Sequence, residues 1–247
     1  EAATSRGLVL LMAIITLQKN GIKAGVSGAG SRDRKPPEKT ALAGWSQSSI
    51  RRNNDFLRSV DYGRLEGMAG LAFTGTLQQC PESSDEWQRI LRAFWHRLRR
   101  MDVVLVHYVT EWQRRGVPHV HCSLFWADPD PKAPMQVIDH WLALTGHLGA
   151  ERFGQFITPI TDALGWAQYT SKHAQRGLYH YQRTPEAVPV HWGGKTGRMW
   201  GKLGDWPIWE DVRLAVDGAC YHRFRRIVRG WRVADARASG NKKRIKS

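Results

Sequence analysis

Cysteine is scarce in this chain: Cys80, Cys122 and Cys220 are the only three in 247 residues, far apart and odd in number. None shows CxxC spacing, which argues against a zinc ribbon or a disulfide scaffold and fits free thiols in a reducing cytoplasm. Long apolar runs are lacking too. The N-terminal stretch "LVLLMAIIT", residues 8 to 16, is too short to span a bilayer, which takes roughly 20 apolar residues. "LQKNGIK" follows it where a signal peptide would carry small residues, so the run reads as a leader with no assigned role, and no membrane partner is expected. Acidic residues are few: 22 Asp and Glu stand against 37 Lys and Arg, a net charge of +15. That sign points to an anionic partner, nucleic acid ahead of an anionic membrane surface. No internal repeat is visible. A phosphate loop is absent as well, because "GGKT" would need Gly where Pro189 stands.

What is present is the composition of a folded protein, 42% hydrophobic with 12 tryptophans. Residues 20 to 44, rich in Gly, Ser, Pro and charge, read as a linker, so 1–44 is expected to be leader and flexible linker. "SQSSIRRNNDFLRSV" looks helical, with Ser48 or Ser49 as N-cap. "AGLAFTGTL" reads as a strand, and "SSDEWQRILRAFWHRLRRM" as a helix with a Ser N-cap, acids in its first turn and arginines in its last. "DVVLVHYVTEW" and "VPHVHCSLFW" are strands flanking "RRG", a hairpin signal. A helix over "APMQVIDHWLALTGHLG", a strand over "FGQFITPI" and a helix over "TDALGWAQYTSKHAQ" complete the series. The order β-α-β-β-α-β-α predicts an α+β fold: a small antiparallel sheet with helices on one face, in the ferredoxin or RNA-recognition-motif style.

The hairpin carries the chemistry. With Arg114-Arg115-Gly116 as a three-residue turn, Gln113 faces Val117 and Glu111 faces His119. Alternation then puts Glu111, His119 and His121 on one face, with His107 and Ser123 further along it. The other face carries Val104, Val106, Tyr108, Val120, Cys122, Leu124 and Trp126. An HxH pair alone is a common and weak signal; the facing carboxylate makes it a candidate metal site. Two imidazoles and an oxygen ligand suit a divalent ion, Mg²⁺ or Mn²⁺, that keeps positions open for substrate. The third ligand depends on register, with Glu111 first and His107 as the alternative. Later, "WAQYTSKHAQR" places Tyr169 and Lys172 at i and i+3 of a helix. A tyrosinate is a competent nucleophile at phosphorus once a nearby cation favours its ionised form.

These motifs, in this order, resemble those of the HUH endonucleases, and in particular the rolling-circle replication initiators (Rep proteins) of plasmids and single-stranded DNA phages. "FTGTL" matches the family's apolar strand with threonines, "EWQRRGVPHVH" its histidine pair, and "YTSK" its tyrosine helix. Gly75 departs from the first motif, being unusual inside a strand. The resemblance covers residues 45 to 180 and implies a nuclease domain there. It implies a single-tyrosine enzyme, because Tyr179 and Tyr181 fall after Gly177. It further implies that His119, His121 and Glu111 hold the metal and that Tyr169 attacks a DNA phosphate, with Lys172 neutralising charge. The 3′-hydroxyl released would prime replication at an origin, with a host helicase and polymerase as partners. A single-strand transposase of the same type, a non-catalytic nucleic-acid-binding module, and a metal-dependent hydrolase acting through water are the alternatives.

Residues 181–247 read as an aromatic and basic extension. A last helix is expected from Ile208 through "YHRFRRIVRGWR" to the tail "NKKRIKS". Its Arg223, Arg225, Arg226, Arg229 and Arg232 are candidates for contacts to duplex or origin DNA phosphates. Trp192, Trp200 and Trp206 are candidates for base stacking or core packing.

Overall fold

The computed structural model describes residues 13–26, 44–166 and 179–240. The chain forms two compact units, one over Glu38–Trp209 and one from its two ends, Glu1–Pro37 with Glu210–Ser247.

In the larger unit, helix α1 (Gln47–Ser59) starts earlier than its sequence suggests, because Ser46 is the N-cap and accepts from Ser49 N. Then follow β3 (Ala69–Gly75), α2 (Ser84–Arg99), β4 (Leu105–Trp112), β5 (Pro118–Trp126), α3 (Ala133–Thr145), β6 (Phe156–Pro159) and β7 (Trp200–Leu203). The sheet order is β6-β3-β5-β4-β7, with every pair antiparallel. Its first four members run fourth-first-third-second, the split arrangement of a β-α-β-β-α-β unit. The expected α+β fold is therefore present. β7, from "WGKL", is an added edge strand that nothing in the sequence separates from its turn-rich surroundings.

α2 and α3 cover one face. Their Trp87, Leu91, Phe94, Val137 and Trp141 pack with Val106, Tyr108, Val120, Cys122, Leu124 and Trp126 from the strands. Each fully buried Leu or Phe here contributes about 1.5–3 kcal/mol. Gly75 serves this packing: a Cβ there would lie 2.7 Å from Trp141 Cε2. Val104, expected on this face, precedes β4 and is exposed. The other face is partly covered as well, since Val60, Tyr62, Leu65 and Trp206 pack on Leu105 and Phe125. Helices are thus not confined to one face; α1 and the turn after it cap one corner of the second. Trp192 and Trp206 are buried in these cores, and Trp200 packs on the first.

The smaller unit revises the leader and linker. β1 (Ala13–Gln18) and β2 (Gly21–Val26) form a hairpin, and β8 (Val212–Val216) adds to it in the order β2-β1-β8. The second half of the apolar run is therefore a strand, with Ala13 and Ile15 buried. The last helix, α4 (Gly218–Ala238), begins ten residues after Ile208, capped by Asp217, because β8 intervenes. Residues 1–12, 27–43, 167–178 and 241–247 lie outside the described residues, and with them the rest of the leader and linker, most of the third helix and the basic tail. Among the described residues no helix is long and apolar enough to cross a membrane.

Candidate metal centre

Hairpin geometry sets the site. Gly116 has φ +74°, the left-handed conformation the turn requires, and Gln113 N donates to Val117 O at 2.9 Å. Glu111 consequently pairs with His119, and Val109 with His121. Glu111, His119 and His121 lie together, each offering one ligand atom, all within 4.8 Å of one another. Glu111 and His119 are buried, whereas the His121 side chain is 33% exposed, so the cluster has a closed back and an open front.

Two contacts aim the ligands. Thr74 Oγ1 on β3 lies 2.8 Å from His121 Nδ1, and His121 Nε2 lies 3.7 Å from Glu111 Oε2. The hydroxyl contact at Nδ1 leaves Nε2 as the nitrogen turned to the carboxylate, the usual division of labour in a ligating histidine. On the other side Arg183 donates to Glu111 Oε1 from Nε at 2.9 Å and from Nη2 at 2.7 Å. Arg183 is only 1% exposed, and its guanidinium stacks 4.3 Å from the centre of the Trp45 ring. Trp45 is itself fixed by an Nε1 bond to Thr110 O. Glu111 is thus held by one oxygen and presents the other. Two imidazoles with a single carboxylate oxygen are a donor set that fits a divalent cation.

His107, the alternative third ligand, is not in the cluster. It shares the face, but its Nε2 lies 2.9 Å from Asn53 Oδ1 of α1, and burial lowers its pKa to about 4. It is a neutral core histidine. Ser123, the next residue along the face from His121, accepts from Trp166 Nε1 at 2.7 Å. Trp166 stands in a helical turn, residues 163–166, that Asp162 caps through Gly165 N. Tyr169 and Lys172 lie outside the described residues. Arg223, Arg225, Arg226 and Arg229 are exposed along α4 in the smaller unit, as is Arg232. All three cysteines are free, and burial raises the Cys122 thiol pKa.

Arg183, which holds Glu111, carries no signal in the sequence. It sits in the aromatic and basic segment "YHYQRTPEA", and nothing in its spacing links it to a carboxylate 72 positions earlier. From sequence, Thr74 reads as a threonine of the strand motif "FTGTL", with no histidine contact assigned to it.

No protein-family model and no solved structure matches the chain. Curated proteins do. The replication-associated protein of Pseudomonas phage Pf3 is 49% identical over 211 residues, covering 85% of this chain and 76% of the phage protein. Two Xylella fastidiosa proteins, named provisionally as replication proteins, are 44% identical in strain 9a5c and 40% in strain Temecula1, each over 243 residues and 96% of this chain. The alignments cover 84% and 91% of those two proteins respectively. Identity of that level over most of both chains places this protein in the family of the phage Pf3 replication-associated protein and its Xylella fastidiosa relatives.

Proposed function

We propose that the protein initiates rolling-circle replication by nicking and rejoining single-stranded DNA as a single-tyrosine HUH endonuclease. The observation that carries this reading is the Glu111, His119 and His121 cluster on one sheet face, with His121 open toward solvent. The replication names of the relatives favour an initiator over a single-strand transposase or a non-catalytic binding module.

In this reading Glu111, His119 and His121 hold Mg²⁺ or Mn²⁺, which supplies positive charge to the scissile phosphate. The Tyr169 phenol loses its proton and its oxygen attacks phosphorus. The bond to the 3′ oxygen breaks, that oxygen takes up a proton, and a 5′-phosphotyrosine remains. Lys172 offsets charge on the phosphate or the phenolate. Trp166, three positions before Tyr169 in the sequence, is anchored to Ser123, two residues from His121 on β5. The exposed arginines of α4 bind origin duplex through its phosphates, and strand separation is left to a host helicase.

The test is cleavage of a single-stranded origin oligonucleotide with Mn²⁺. The His119→Ala, His121→Ala double variant is expected to lose cleavage while keeping salt-sensitive DNA binding. Undiminished cleavage by that variant would reject the metal centre.

A further inference from the structure

The row of residues that crosses the sheet at His121 ends on an exposed aromatic ring. Thr74 pairs with His121 on one side and with Phe156 on the other. Directly opposed residues of antiparallel strands project to the same face. Phe156 therefore lies on the face that carries the metal cluster, and Ile157, the next residue of β6, packs into the core on the other. Phe156 is nonetheless 58% exposed.

The ring is mounted on a stiff edge. Gln155 Oε1 accepts from Thr76 N at 2.8 Å, and Gln155 Nε2 donates to Thr76 O at 3.3 Å. Thr76 Oγ1 also donates to Gly154 O at 2.6 Å. These bonds prolong the β3–β6 pairing past its last ladder residue and hold the turn that leads into Phe156. A phenylalanine kept in solvent forgoes the burial that drives folding, and its rigidity lowers the entropy lost when something covers it. Phe153, fully exposed in that turn, adds a second ring at the same edge. On the same face at the opposite edge Lys202, paired with His107, is exposed and offers a cation.

We propose that Phe156 is a base-stacking platform for single-stranded DNA, receiving a nucleobase that neighbours the phosphate held at the Glu111–His119–His121 centre. Two strand spacings separate β6 from β5, about 9–10 Å, a span a nucleotide bridges from phosphate to base. Stacking on an aromatic ring tolerates any sequence, because every base presents a π-face. The proposal rests on the metal-centre reading for the position of the phosphate.

The probe is a fluorescein-labelled oligothymidylate of about 12 nucleotides, titrated with the full chain and read by anisotropy. Phe156→Ala is expected to bind about tenfold more weakly, the scale of one lost stack. Phe156→Leu, which keeps apolar volume without a ring, should lose as much. Phe156→Trp should bind as tightly as the parent and show indole quenching on binding. The rise in Tm on adding Mn²⁺ should be equal in all four proteins. Affinity within twofold of the parent for either ring-less variant overturns the proposal, as does a loss that coincides with a change of oligomeric state. Equal DNA affinity with an intact Mn²⁺ response removes the platform and leaves the metal centre. Weakened DNA binding in proteins that never respond to Mn²⁺ does the reverse.

Discussion

Arg183 and Glu111 form a fully buried ion pair in which two guanidinium nitrogens converge on one carboxylate oxygen. The pair leaves Glu111 Oε2 turned to His121, and in the proposed function Arg183 thereby positions the carboxylate of the candidate metal centre. Breaking a buried pair by removing one partner costs about 3–5 kcal/mol, because the remaining charge is left without its counterion. Arg183→Met should therefore lower stability in urea by an amount of that order. A divalent cation compensates the stranded carboxylate, so the rise in Tm with Mn²⁺ should be larger in Arg183→Met than in the parent. An equal rise in both proteins would contradict the assignment.

Thr74 orients His121 through Nδ1. Thr74→Val keeps the side chain's shape and deletes the hydroxyl. Loss of such an outer contact typically weakens metal affinity about 10–100-fold. Calorimetric titration with Mn²⁺ should show a loss in that range with the fold retained. Unchanged affinity would mean that the strand alone orients the imidazole.

His107 gives the protein an acid-sensitive element. Its pKa is lowered from 6.5 to about 4 by burial. Above pH 6.5 the ring is neutral folded or unfolded, and the stability is fully present. As pH falls toward 4 only the unfolded chain takes up the proton, so the folded state loses up to about 3 kcal/mol. His107→Gln cannot protonate, and its stability should fall less steeply between pH 6.5 and 4 in urea titrations. Identical slopes would assign the acid sensitivity elsewhere.

Gly75 is required by Trp141. A Cβ at position 75 would meet Trp141 Cε2 at 2.7 Å and Cζ2 at 2.9 Å, and Trp141 is fully buried. Gly75→Ala should destabilise by about 1–3 kcal/mol through overpacking. An unchanged urea midpoint would show that the α3 packing is more pliant than its burial indicates.

Much of the metal cluster is legible in the sequence because its determinants are local. A glycine turn and strict alternation over a dozen residues fix which side chains share a face, and the Glu111–His119 register follows. Arg183 is not legible, since its contact joins residues far apart and a buried arginine has no local pattern. The β1–β2 hairpin escapes for a related reason. "GIKAGV" has the composition of a loop, and the hairpin's third strand, β8, comes from the other end of the chain. With β8 unseen, the last helix reads as starting at Ile208. His107 shares the periodicity of the ligands, and only the packing of α1, with Asn53 against it, removes it from the cluster.

In the proposed function Tyr169 becomes covalently joined to DNA under the control of the Glu111–His119–His121 centre. The most direct measurement is a denaturing gel of the full chain incubated with labelled single-stranded origin DNA and Mn²⁺. The parent protein should carry label through denaturation, and Tyr169→Phe should carry none. A labelled adduct that persists in Tyr169→Phe, or cleavage with free turnover and no adduct, would rule out Tyr169 as the nucleophile.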